Sequence, residues 1–288
     1  MPDFSHAMRP TFTAGLYQRL EKGEAINLVT PSIADGSRTL SDIQEISPND
    51  KFLIIKVSLK AYRNDFNGFL IDIWQQLPKE QRGEKPQDFA QLVERLEAIS
   101  VQKWLFIEAM QAIFDNELID PLYNQRFLSS LNSLKNNRNY AVVGVSEQPL
   151  DRYTIFIDKS PKNASVLELK PLVLPLLSQV DIEAELQRHP DIVRHEQSII
   201  REAVYKHPHA YDFLQFVIQR IENGERAGEE IENKLKVWGK DFNKKPFLTL
   251  RYIVGLRQKI VCWLREGQRW LLVPILGSAL VWLFKLLF

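Results

Sequence analysis

The stretch that decides the fold is "INLVTPSIADGSRTLSDIQ", residues 26–44. An apolar run enters a short polar segment, and that segment runs into a helical pattern. Strand, loop and helix in that order are the setting of a phosphate-binding loop, G-x-x-x-x-G-K-[ST]. There, glycines let backbone N–H groups converge on phosphates, the lysine reaches the β and γ oxygens, and the hydroxyl ligates Mg²⁺. With Thr39 in the hydroxyl slot, Arg38 takes the lysine slot, Ser37 and Ser32 take the glycine slots, and Gly36 stands one place off. A hydroxyl and a cation are kept, but side chains stand where glycine would give easy access to positive φ. The planar fork of Arg38 also differs from a compact ammonium. The loop reads as about two residues longer than the common form.

Further along, short runs rich in Ile, Val and Phe alternate with helical periodicity. The strand-like runs are "AINLV" (25–29), "FLIIKVSL" (52–59), "KWLFI" (103–107) and "YAVVGVS" (140–146), with a weaker fifth, "SVLELK" (165–170). Near-continuous apolar strands are what a parallel sheet buried on both faces requires. Between them, Phe66, Phe69, Leu70, Ile73, Trp74 and Leu77 line one face of a helix closed by Pro78. Phe89, Leu92, Val93, Leu96 and Ile99 do the same, as do Phe127, Leu128, Leu131 and Leu134. Strands joined by crossover helices predict a three-layer α/β sandwich with a P-loop-like parallel sheet.

The third run supplies a second comparison. Nucleotide-hydrolysing folds end such a strand with an aspartate that holds Mg²⁺ through water and a glutamate that polarises the attacking water. In "WLFIEAMQAIFDN" those slots hold Glu108 and Ala109. Glu108 can still reach a metal; Ala109 cannot accept a proton.

In their order, "NLVTPSIADGSRTL", "KWLFIEAMQAIFDN", "FLSSLNSLKNNRNYAVVGVSEQPL" and "LELKPL" resemble the prokaryotic STAND and AAA-like P-loop ATPases over roughly residues 10 to 175. The resemblance implies a parallel sheet with the loop at its carboxyl edge, followed by a helical lid. It places Ser146 near the position that senses the γ-phosphate, with Glu147 where an arginine often stands. Glycine slots, lysine, aspartate, glutamate and arginine are all changed. The chain therefore resembles a degenerate, inactive STAND-type module, a class thought to transmit signals or assemble complexes in bacterial conflict (defence) systems. Catalytic residues and a bound cofactor are not expected on this reading. The alternative is a variant NTPase that binds ATP and Mg²⁺ through Arg38, Thr39 and Glu108.

Beyond Pro175 the strand signal ends. Two or three helices punctuated by Pro190 and Pro208 predict a small helical domain over 176–248, after a P-loop-like domain over 1–175. Residues 249–288 differ again. "WLLVPILGSALVWLFKLLF" opens on Trp270 and closes on Phe288, broken only by Lys285. As a helix it reaches about 28 Å, close to the hydrocarbon thickness of a bilayer. Arg251, Arg257, Lys259, Arg265 and Arg269 precede it with only Glu266 opposing them, so the positive-inside rule puts the N-terminal part in the cytoplasm. A transmembrane anchor in the inner membrane, single-pass, is expected, led by a basic amphipathic segment.

The net charge of +1 gives no electrostatic ground for nucleic acid, and none is expected. One cysteine, Cys262, excludes internal disulfides. "MPDFSHAMRPTF" lacks the apolar core of a signal peptide. The histidines in "HPDIVRH" and "HPH" lack the i, i+4 spacing of a helical metal pair, and "GVSEQ" lacks the second glycine of a nucleophile elbow. The expected partners are other proteins of a signalling or defence complex, a membrane, and further copies of the chain.

Overall fold

The computed structural model describes residues 2–115, 118–157, 160–225 and 230–244. The expectations for the amphipathic segment and the anchor fall outside these residues. Among the described residues no helix is long and apolar enough to cross a membrane. Residues up to Glu232 form one unit, and a second begins at Asn233.

Pro10, whose missing N–H costs nothing in a first turn, opens α1 (Pro10–Glu21). Then come β1 (Ala25–Val29), α2 (Ile33–Ile46), β2 (Phe52–Ser58), the short α3 (Leu59–Tyr62), α4 (Phe66–Gln75), α5 (Phe89–Glu97), β3 (Gln102–Glu108), α6 (Gln125–Lys135) and β4 (Tyr140–Ser146). The chain continues through β5 (Thr154–Ile157), β6 (Ser160–Asn163), β7 (Lys170–Val173), α7 (Gln179–Leu186), α8 (Arg194–Tyr205), α9 (Ala210–Glu222) and α10 (Ile231–Lys244). Side-chain caps fix several helix starts: Asp65 accepts from Gly68 N, Asp88 from Gln91 N and Asn124 from Phe127 N. Ser178 and Asp181 form a reciprocal capping box at the start of α7.

Five strands make the central sheet in the order β2-β3-β4-β1-β7, and every pairing in it is parallel. On one face, Leu16, Tyr17 and Leu20 of α1 and Leu40 and Ile43 of α2 join Ile26, Leu28, Trp104, Phe106, Val143 and Val145. On the other, α4, α5 and α6 place Phe69, Leu92 and Phe127 against Ile55, Val57, Leu105, Ile107 and Val142. The three layers read from the sequence are present. Phe66, Phe69, Tyr123 and Phe127 pack mostly edge-to-face there, with ring centroids 5.0–5.9 Å apart.

The sequence reading differs from the structure at several places before Pro175. Residues 165–170 are not a strand: Asn163 accepts from Ser165 N and starts a 3₁₀ turn, Ala164–Leu167. Glu168 then turns left-handed at φ 48°, and the fifth strand runs instead from Lys170 to Val173. Pro171 is tolerated because β7 is an edge strand. The antiparallel pair β5–β6 follows β4 where the periodicity gave no sign of it. At the opposite edge, the Gln76 amide accepts from Lys56 N and donates to Lys56 O, both at 2.9 Å. It pairs part of β2 that would otherwise be open to another strand.

Candidate functional site

The segment between β1 and α2 is only Thr30, Pro31 and Ser32. This corrects the expectation of a long loop. Ser32 is the N-cap of α2, its hydroxyl accepting from Asp35 N at 3.3 Å. Gly36, Ser37, Arg38 and Thr39 lie within the helix, not in a loop of converging N–H groups. Gly36 N bonds to Ser32 O at 3.2 Å, and the buried Thr39 hydroxyl donates back to Asp35 O at 3.2 Å. The physical reason is local: a Ser N-cap followed by an acidic residue at the third helical position starts a helix early.

Gly36 has a packing role. A Cβ there would come within 2.7 Å of Val145 Cγ1 and 3.0 Å of Thr30 Cγ2. The absent side chain lets α2 lie close on β4.

The cations of the region are bound to carboxylates of the same chain. Arg9, from the segment before α1, makes a bidentate pair with Asp35, both bonds 2.7 Å. Its Nε donates to Pro175 O at 2.9 Å. Arg38 donates to Asp42 at 2.8 Å and to Glu185 of α7 at 3.0 Å, while Arg188 holds the other Glu185 oxygen at 2.8 Å. Asp42 also accepts from Met8 N at 2.9 Å. From α9, Asp212 accepts a 2.7 Å hydrogen bond from the Ser32 hydroxyl.

The electrostatics follow from this crowding. Burial, ahead of the opposing effect of Arg9, holds the Asp35 carboxyl above the ordinary 3.8. For Arg38, burial acts against the charge, but Asp42 and Glu185 outweigh it and hold the guanidinium above its usual value. Burial first, then the Asp35 charge, pushes the Tyr211 phenol up to about 12.

At the carboxyl end of β3, Glu108 is paired with Lys56 of β2 at 3.0 Å. Lys56 Nζ also donates to the Ser41 hydroxyl at 3.1 Å. Ala109 follows in the left-handed region at φ 54°, and its methyl brings no proton acceptor. Ser146 is fully buried at the end of β4; it accepts from Asn27 Nδ2 at 2.7 Å and donates to Gln148 O at 2.6 Å. Glu147 accepts from Gln111 at 3.1 Å.

The structure thus brings Ser32, Gly36, Ser37, Arg38 and Thr39 together on one helix and sets Glu108 and Ser146 at neighbouring strand ends. Sequence reasoning missed Arg9, Asp35, Asp42, Lys56, Glu185 and Asp212. Asp35 and Asp42 lie three before and four after Arg38, a helical signature readable once the helix start is known. Arg9, Glu185 and Asp212 meet α2 only through the tertiary fold.

The cavity beside the α2 N-terminus, lined by Ser32, Asp35, Leu177, His209, Tyr211 and Asp212, has a volume of about 20 Å³. That suits one water rather than a small-molecule ligand, whose sites run from about 300 Å³. A larger depression, about 420 Å³, lies on α7 and α8 among Gln179, Ser198, Ile199, Arg201, Tyr205 and Lys206. Its charges are paired, Arg201 with Glu183 and Lys206 with Glu202. Among the described residues no group of three His, Cys, Asp or Glu could hold a metal ion.

The chain matches no family model and no curated protein. It is similar in structure to the Orc1 protein of Aeropyrum pernix in complex with DNA, with TM-score 0.51 and 12% identity, covering 84% of this chain and 66% of that one. It is also similar to Cdc6p from Pyrobaculum aerophilum, with TM-score 0.45 and 15% identity, covering 77% of this chain and 64% of that one. The chain therefore spans just under two thirds of the length of these neighbours. The likeness to the first is one of fold, an α/β architecture with a parallel central sheet of the P-loop-like kind.

Proposed function

We propose that this chain is a P-loop-fold module that has given up nucleotide turnover and works through protein contacts, as a signalling adaptor or effector. One observation carries the reading: the helix start that would face phosphates is met by Asp35 and Asp212, with Arg9 and Arg38 already engaged by carboxylates. ATP with Mg²⁺ does not fit these residues. A three-residue loop offers few free N–H groups, two carboxylates would repel phosphate, and Ala109 cannot activate water. The resemblance to degenerate STAND-type modules supports a role in a bacterial defence complex. Residues 270–288 support a single-pass anchor in the inner membrane, with the folded part in the cytoplasm.

Equilibrium binding of ATP and ADP with Mg²⁺ to the 288-residue chain tests this. No binding at millimolar nucleotide is expected. Micromolar binding that is lost in Arg38→Ala would overturn it in favour of the variant NTPase. Fractionation with and without residues 270–288 tests the anchor: an extractable, soluble intact chain refutes it. A second reading, contact with DNA, is favoured by the DNA bound to the Orc1 neighbour. Duplex DNA binding that weakens steeply with salt would establish it.

A further inference from the structure

We infer that the seam between α2, the N-terminal segment and the helices α7 and α9 is an internal substitute for a nucleotide, a latch that holds the helical layer closed on the sheet. The inference rests on the reading that no nucleotide occupies this seam. In a P-loop ATPase fold, phosphates bridge the first helix to whatever packs over it. Here the bridge is made by the chain's own ions. Asp212 of α9 takes its hydrogen bond from Ser32, the residue capping α2. Glu185 of α7 takes one from Arg38, in the lysine slot of the motif. Arg9 ties Asp35 of α2 to Pro175 O, in the segment leading to α7. Arg188, just past the end of α7, reaches back to His6 O, so the N-terminal segment is held from both sides.

These contacts join four segments of the chain, and each involves a charged group. The apolar residues Ile182, Leu186, Ile200, Val204, Leu214 and Val217 of α7, α8 and α9 are buried but belong to neither apolar cluster flanking the sheet. The bonds that join α7 and α9 to α2, from Arg38 to Glu185 and from Ser32 to Asp212, are polar. Polar seams open at lower free energy than apolar cores, so this seam is where the unit would part first. Charge-assisted bonds that are lost together make such a joint two-state rather than gradual. A protein partner that captures the N-terminal segment, withdrawing Arg9, would release α7 as a consequence.

Hydrogen exchange of the 288-residue chain reads this directly, comparing the native chain with Glu185→Gln/Asp212→Asn. Amides of α7 and α9 should exchange about tenfold faster in the variant, while those of β1, β3 and β4 keep their rates. Unchanged exchange in α7 and α9 would overturn the latch, as would acceleration shared equally by the strands. Arg9→Ala supplies the second variant and should release α7 in the same way; a change confined to residues 4–9 would refute the coupling. Adding millimolar ATP to the native chain separates the two readings. An ATP-dependent change in α7 or α9 exchange would sink the nucleotide-free reading, whereas the variant data decide the latch.

Discussion

Replacing Arg9 with methionine isolates the buried ion pair on which the seam turns. The two side chains are 3% and 10% exposed and meet at 2.7 Å. Breaking such a pair from one side typically costs about 3–5 kcal/mol, because the remaining charge is stranded out of water. The lost bond from Arg9 Nε to Pro175 O adds about 1 kcal/mol. Asp35 has an escape, since it can take up a proton. Burial already raises its pKa above 3.8; Asp212 and Asp42 push the same way, and Arg9 supplies the opposing effects that the substitution removes. In the variant the folded state therefore binds a proton that the unfolded state releases. Stability then rises as pH falls through the window above 3.8. The destabilisation should shrink by up to about 1.4 kcal/mol per pH unit over that window. Urea unfolding at about pH 8 and about pH 5, with unchanged m-value, measures both effects. Adding Asp35→Leu should recover at least half the loss, because a buried pair replaced by apolar groups is often neutral. A loss below about 1 kcal/mol at about pH 8, or no recovery in the double variant, would refute the reasoning.

Gly36→Ala should lower stability by about 1–3 kcal/mol through overpacking against Val145 and Thr30, seen as a lower Tm. An unchanged Tm would mean α2 can move off β4. Ala109→Gly should leave stability unchanged or raise it by up to about 1 kcal/mol, since φ 54° suits glycine better; a clear loss in urea unfolding would show that the methyl, 4% exposed, matters more than the backbone.

The sheet was legible because a parallel strand buried on both faces must be apolar nearly throughout. Val142, Val143 and Val145 satisfy that requirement in the sequence itself, as Leu105, Phe106 and Ile107 do. Crossover helices were legible for a similar reason: Phe66, Phe69, Leu70 and Ile73 mark one face in any helix that carries them. The pair β5–β6 was not, since "SPKN" is exposed along its whole length and carries no burial pattern. Helix α1 was also missed; its buried face is Thr13, Leu16, Tyr17 and Leu20, a sparse pattern with a polar residue at one end.

Why the candidate loop misled follows from the same chemistry. A motif compared slot by slot treats Ser32, Gly36 and Arg38 as members of one loop. Whether they form a loop depends on where α2 begins, and that is set by the Ser32 cap and Asp35 in its first turn. Once the helix starts at Ile33, Gly36 faces β4 and its lack of a Cβ serves packing. Arg38 can then reach Asp42 one turn on, at 2.8 Å. The Ser32 cap and the acid in the first turn thus account for both the short loop and the direction of the arginine. An ATPase that had merely lost its catalytic glutamate would keep a phosphate cradle. Here Gly36, Ser37, Arg38 and Thr39 all lie in α2, so the residues compared with a cradle stand on a helix whose start is fixed by Ser32.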